Sequence, residues 1–296
     1  MSEPWTRAVD DDPHSFRDPG SITRLLAGLG EADDERRLGS VRGLTKVVKA
    51  LEDDPVEESL ARVRAELPAL VDLLLDRDAE ASGCAISILR RIEPTDAAAE
   101  RLLKHLAGPP EHATALLLEA LGLHSSAAFP EPIEQTLCRF LSAPQGARAA
   151  AYALYCSFSM IRRSSTVDAL RLAAAPDGIA WGRYYSLLTL CCLTSLEEHA
   201  AIANEHLDAI LDDASAESRQ QIAAALGWAT RRGLPLLHRL AADPEPSVRL
   251  AVAESLVRDE YRARRETQVL LHRLAADEDA EVREFVDLAL EHGATP

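Results

Sequence analysis

A chain of 296 residues is long enough for one large domain or two ordinary ones. At 47% hydrophobic, 27% charged and only 4% aromatic, rich in Ala and Leu and without long Val/Ile/Thr runs, it reads as a folded, helix-forming protein with little claim to a sheet. Its formal net charge of −16 argues against nucleic acid as the main partner, because a phosphate backbone is gripped by clustered positive charge.

In chain order, residues 1–20 are acidic and carry Pro4, Pro13 and Pro19, which predicts a flexible N-terminal tail. The opening MSEPWTRAVDDDPHSF lacks the basic-then-apolar order of a secretory signal. The densest apolar stretch, LLTLCCL at 187–193, is far short of the ~20 residues of a membrane span. A cytoplasmic location with no membrane contact is the expectation. Residues 21–296 are expected to form one domain.

The first unit sets Glu31 six residues before Arg37. After it, LEDDPVEESLARV at 51–63 lengthens the interval and predicts a short extra helix, with Pro55 in its first turn. The second unit, LPALVDLLLDRDAE, has Asp76, but Ser82 stands six residues on where an Arg is expected. The third, RLLKHLAGPPEHATALLLEAL, keeps only a helix–turn–helix pattern. The fourth sets Ser142 before Arg148, the fifth Asp177 before Arg183 and the sixth Asp213 before Arg219. The last two units share the octet LLHRLAAD at 236–243 and 270–277, with Asp243 before Arg249 and Asp277 before Arg283.

Around each Asp the apolar residues follow a helical period, as with Leu236, Leu237 and Leu240 before Asp243 and Val248, Val252 and Leu256 after it. Each unit therefore reads as two helices, A and B, joined by a short polar turn. Self-similarity at this period is the mark of an all-α solenoid of about eight stacked helix-turn-helix repeats, since one amphipathic pair cannot bury its own apolar face. The recurring Asp suits the positive end of helix B, and the Arg one turn in can reach the Asp of its own or the next unit, making a structural ladder of Asp177, Arg183, Asp213, Arg219, Asp243, Arg249, Asp277 and Arg283.

The unit LLHRLAADPEPSVRLAVAESL resembles a HEAT repeat, close to the bacterial type found in phycobilisome-lyase-like proteins. The resemblance is strong over 207–290, moderate over 21–92 and 133–193, and weak over 97–123. It implies a scaffold that binds other macromolecules, with helix B lining a concave face.

No HExxH, GxSxG or GxxxxGK[ST] motif is present, so no catalytic residue is assigned and no cofactor is expected. His238 and His272 recur one repeat apart, too far to share an ion without a third ligand, and His199 and His206 lack a consistent acid partner; no metal site is assigned. The five cysteines form no CxxC and read as reduced core residues. Acids crowd the A-to-B turns and arginine pairs follow helix B, which predicts one acidic and one basic edge.

The aromatic residues give the sharpest expectation. Tyr152, Tyr155, Trp181, Tyr184, Tyr185 and Trp228 lie in or just after helix B of units four to six. Tyr184 aligns with Leu250, Glu284, Gln220 and Gly83, Trp181 with Ser247 and Glu281, and Tyr152 with Glu254. Slots so varied predict exposure, and exposed Tyr and Trp are typical binding anchors. The expected function is a non-enzymatic adaptor for a protein or peptide. The alternative is an enzyme on the same frame, resembling alkylpurine DNA glycosylases or bilin lyases.

Overall fold

The structure is a computed structural model and describes residues 19–92, 94–108, 114–124, 129–175, 178–227, 233–258 and 265–293. These contain seventeen α-helices and no strand, and the fold is an all-α solenoid of helical repeats. Contacts group the chain into two units, residues 1–136 and 137–296, with the division inside one helix. The expected tail lies almost wholly outside the described residues.

In residues 1–136 the helices are α1 (Pro19–Gly28), α2 (Asp34–Asp53), α3 (Glu57–Ala65), α4 (Leu67–Leu73), α5 (Ala79–Leu89), α6 (Asp96–Leu106) and α7 (Thr114–Gly122). They start where the sequence offers an oxygen to an unpaired amide. Asp33 accepts from the Arg36 amide, Asp78 from those of Glu80 and Ala81, and Thr95 from that of Ala98. The extra helix is α3, but Pro55 lies outside it, just before the cap residue Val56. The first-turn proline is instead Pro68 of α4, where the lost N–H has no partner to forfeit. Helix α2 packs on α1 and α5, α5 on α4 and α7, and α6 on α4 and α7.

Helix α8 (Glu131–Phe140) spans the division. Residues 137–296 continue with α9 (Ala147–Cys156), α10 (Ser164–Ala173), α11 (Ala180–Leu193), α12 (Ala200–Asp213), α13 (Ala216–Leu226), α14 (Leu234–Leu240), α15 (Pro246–Leu256), α16 (Arg265–Leu274) and α17 (Ala280–Gly293). The odd-numbered helices from α9 to α17 are the B helices, and each packs on the next in that order. Buried Leu154, Leu190, Leu226 and Leu256, each almost solvent-free, form the seam between the B helices and the A layer.

Arginines on the B helices join successive units. The Arg249 guanidinium donates to both carboxylate oxygens of Asp277 at 2.8 Å, and its remaining amine to the carbonyls of Asp243 (2.7 Å) and Pro244 (3.1 Å). Arg219 holds Asp243 in the same forked way at 2.6 and 2.9 Å and donates to the Ala214 carbonyl at 2.8 Å. Arg37 reaches Asp76 at 2.9 Å and the Glu31 carbonyl at 3.1 Å. Each Arg thus ties the carbonyls of its own A-to-B turn to the carboxylate of the next unit. Arg283, in the last unit described, donates only to the carbonyls of Asp277 and Glu278 among the described residues. Arg183 donates instead to Ser218 Oγ. Asp177 lies outside the described residues, and the Asp213 side chain is not described.

The bridging aspartates are not the helix caps. Asp76, Asp243 and Asp277 each accept from the amide two residues on, and in two of the three units the cap is that second residue, Asp78 or Asp279. One acid closes the turn and receives the neighbour's arginine; the other caps the helix.

This arrangement fixes a pH response. Arg249 and the Asp279 amide hold the Asp277 carboxyl below the usual carboxylate range. Burial alone would raise Asp243, but Arg219 and the Glu245 amide outweigh it, and the Asp78 amide, followed by Arg37, lowers Asp76. A depressed folded-state pKa contributes stability that is complete above the unfolded value of about 4 and lost as pH falls through the folded one. Urea midpoints should therefore be level between pH 5 and 7 and fall steeply below about pH 4. Asp277→Asn should lower the midpoint at pH 7 and flatten the acid limb; an unchanged acid limb would remove this rung from the explanation.

Candidate functional site

The aromatic residues that the structure describes converge on α9 and α11. These helices approach closely because their facing residues are small: Ala147, Ala150 and Ala151 are buried on α9, and Gly182 faces them from α11. A Cβ at position 182 would stand 2.9 Å from the Ala147 Cβ and 3.4 Å from that residue's backbone carbonyl. The close approach brings together four tyrosine rings. Tyr185 is at their centre, 5.0 Å edge-on from Tyr152, 5.2 Å edge-on from Tyr184 and 5.9 Å tilted from Tyr155. Edge-to-face pairs of this kind contribute about 0.5–1.5 kcal/mol each beyond area burial, so the cluster is a preformed surface.

Tyr152 is the most open of the four at 40% exposure; Tyr155, Tyr184 and Tyr185 are half-buried. Below them, the Thr189 hydroxyl donates to the Tyr185 carbonyl at 2.7 Å, and Ser186 and Thr189 are themselves buried. Burial pushes the Tyr155 phenol above its usual range, and the neighbouring Cys192, Cys156, Tyr184 and Tyr185 act in the same direction. Cys192 is pushed up to about 11 by burial, and Cys191 rises well above its ordinary value for the same reason. The phenols and thiols here are neutral at physiological pH, so the surface acts by area and hydrogen bonding and carries no thiolate nucleophile.

Trp181 lies on α11 one turn before Tyr184; its side chain is not described. Trp228 lies outside the described residues. The structure thus brings four of the six candidate aromatics together in units four and five. It also corrects the register of α9. Ala147 occupies the buried slot that Arg183, Arg219 and Arg249 hold in the later units, while Arg148 is exposed, one residue out of step. Arg148, Tyr152 and Tyr155 share one helix face, and the sequence-level alignment missed Arg148 by assigning it to the ladder. The late Leu154, seven residues after Ala147 as Leu256 is after Arg249, is the signal that would have found it.

Other candidates are already engaged. A cleft of about 330 Å³ between the sixth and seventh units is lined by Arg219 and Arg239, but Asp243 neutralises the first, and Asp208 (2.8 Å) and Asp212 (2.6 Å) the second. The arginine pairs after helix B face acids as well: Arg90 meets Glu119, Arg91 meets Glu52 at 3.2 Å and Arg162 meets Glu198 at 3.0 Å. Buried His199 contacts the Ile161 carbonyl through Nε2 at 3.0 Å, and His206 lies 3.0 Å from Asp168. Among the described residues no three His, Cys, Asp or Glu side chains are grouped as a metal ion would need. No helix among them is long and apolar enough to cross a membrane.

With this geometry in hand, the similarities to known proteins can be placed. The family model described as HEAT repeats matches residues 204–291. Among solved structures, an engineered protein from the Northeast Structural Genomics Consortium is 16% identical, with 98% of this chain and 93% of that one covered and a TM-score of 0.37. A designed armadillo repeat protein is 15% identical over 91% of this chain and 98% of that one, TM-score 0.30. Another, in complex with the peptide (KR)4, is 13% identical over 91% and 98%, TM-score 0.28. None of the curated proteins matches the chain.

Proposed function

We propose that this chain, which carries HEAT repeats over residues 204–291, is a non-enzymatic adaptor that binds a protein or peptide on its helix-B face, the concave side in solenoids of this kind. The observation that carries the reading is the cluster of Tyr152, Tyr155, Tyr184 and Tyr185 across two neighbouring B helices, held in place by the Gly182–Ala147 contact. Tyrosine offers large apolar area at small entropic cost and keeps a hydroxyl to direct a polar group. A partner's apolar side chain set among the rings would be desolvated without moving the backbone. The arginine ladder keeps the B helices in step and so maintains the spacing of the surface, a structural role separate from contact with the partner.

The test is affinity capture from a lysate of the source organism, wild type beside the double variant Tyr152→Ala/Tyr184→Ala. Both substitutions trim the open rim of the cluster and leave Tyr185 in place, so helix content and urea midpoint should change little. A partner retained by the wild type should fall at least about tenfold in affinity for the variant when the purified pair is measured, as truncating two anchors would cost. Equal affinity for both proteins would remove the tyrosines from the contact surface.

A further inference from the structure

The helix-B face changes character along residues 137–296. Each B helix presents to solvent the positions two before, one after and five after the slot that Arg249 fills in α15. On α9 and α11 these positions contain no acid: they hold Arg148, Tyr152, Tyr184 and Leu188 beside Gln145 and Trp181. In a chain of net charge −16, that is a local reversal. From α13 onwards the same positions turn acidic, with Glu217 on α13, Glu254 on α15, and Glu281 and Glu284 on α17. All four are exposed, and none has a basic partner among the described residues; Glu217 accepts only from Gln221, at 3.5 Å. The ladder acids, by contrast, are all paired. The carboxylates left open are those on this one face, and they increase with distance from the tyrosines.

We infer that the face takes an extended segment of a partner protein with two parts in fixed order: an apolar or aromatic anchor that sits on the tyrosines, and lysines or arginines that lie over Glu217, Glu254 and Glu284. This rests on the helix-B face being the binding surface and adds the chemistry of what binds there. Charge complementarity selects the basic half. Each acid stands on a separate helix about 8–10 Å from the next, close to the Debye length of about 8 Å at physiological salt, so each acts on its own nearest cation and the row rewards a run of them. The geometry also sets the spacing. Glu254 is on the second B helix after α11, roughly 18 Å away, and an extended chain advances about 3.3 Å per residue. The basic residue over Glu254 should therefore lie about 5–8 residues from the anchor.

The test uses a displayed library of random sixteen-residue peptides selected on the full chain, followed by fluorescence anisotropy on one enriched peptide. Enriched peptides should carry an aromatic or Leu residue and at least two Lys or Arg on one side of it at that separation. The charge-reversal variant Glu217→Lys/Glu254→Lys/Glu284→Lys changes only solvent-facing positions and is checked for unchanged helix content. It should bind the enriched peptide about tenfold more weakly, with most of the salt dependence lost. The Tyr152→Ala/Tyr184→Ala variant should weaken the same peptide while keeping its salt dependence. Neutral or acidic enriched peptides, or a reversal variant that binds as well as the wild type, would overturn the inference and leave the tyrosine site standing. Basic peptides sensitive to the reversal but indifferent to the tyrosine variant would instead sink the tyrosine anchor and this two-part segment with it, leaving a charge-only surface. No enrichment over the bare support would overturn both.

Discussion

Arg249→Ala is expected to lower the unfolding free energy of residues 137–296 by about 3 kcal/mol while leaving helix-B binding at wild-type strength. The magnitude follows from what is abandoned. Arg249 and Asp277 are both almost completely shielded, with side-chain exposures of 6% and 8%. Their attraction alone is no guide to stability, since taking two charges out of water costs much of what the pair returns. Removing one member is different, because the other stays buried without its counter-charge. Asp277 would keep only the Asp279 amide, and the carbonyls of Asp243 and Pro244 would lose their donor. Breaking a buried pair in this way costs about 3–5 kcal/mol.

A graded series checks that cause. Arg219 is more open, 19% exposed against 6% for its partner Asp243, so Arg219→Ala should cost less. Arg283 has carbonyl acceptors only, and Arg283→Ala should cost about 1 kcal/mol, the net value of ordinary hydrogen bonds. Urea unfolding of the three variants would order them. Equal costs for Arg249 and Arg283 would mean that anchoring the turn carbonyls, and not the carboxylate bridge, is what the recurring Arg contributes. Repeat arrays can unfold in segments, so midpoints should be read by two probes, and the loss expected in the transition that contains α13 to α17.

The Asp-to-Arg spacing made the repeat legible because one physical job is repeated at each junction, and a repeated job leaves a repeated residue. Its partner choice was half legible. The sequence allowed the Arg to reach the Asp of its own unit or the next, and only coordinates separate the backbone carbonyls of the former from the carboxylate of the latter. The cap was misplaced for a related reason: in Asp-x-Asp either acid can cap a helix on paper, and the turn that the first one closes decides the matter. In the fourth unit the turn residues Ala143, Pro144, Gln145 and Gly146 shift α9 by one position. Counting six from Ser142 then lands on exposed Arg148, although buried Leu154 marks the true register. The tyrosines were visible as a cluster in sequence, but their contacts were not. Tyr185 aligns with a different residue type in every unit, and that it is the ring all the others touch depends on how closely α9 and α11 approach.

That approach is the subject of the second large effect, at a residue that touches no partner. Gly182→Ala is expected to destabilise residues 137–296 and to weaken partner binding together, although the new methyl is buried. In a helix interior, alanine for glycine is normally favourable by roughly 1 kcal/mol, because glycine gives up more backbone freedom on folding. Gly83 on α5 shows the ordinary case: a Cβ there meets nothing within 4 Å, so Gly83→Ala should stabilise its unit by up to about 1 kcal/mol. At position 182 the Cβ would stand 2.9 Å from the Ala147 Cβ, and neither atom belongs to a side chain that can swing aside. The helices must separate, and overpacking of this kind costs about 1–3 kcal/mol, which exceeds the propensity gain. Separation also acts on the site. Tyr152 and Tyr155 ride on α9 and Tyr184 and Tyr185 on α11, so the 5.0 Å and 5.9 Å ring contacts are the ones that open. The contact between Tyr184 and Tyr185, on a single helix, should survive. Tyrosine fluorescence or ring-current shifts would report the change, and affinity for a captured partner should fall even though no contacting atom was altered. If Gly182→Ala and Gly83→Ala both stabilise, the α9–α11 junction has slack, and the tyrosine surface is not held by the Gly182–Ala147 contact.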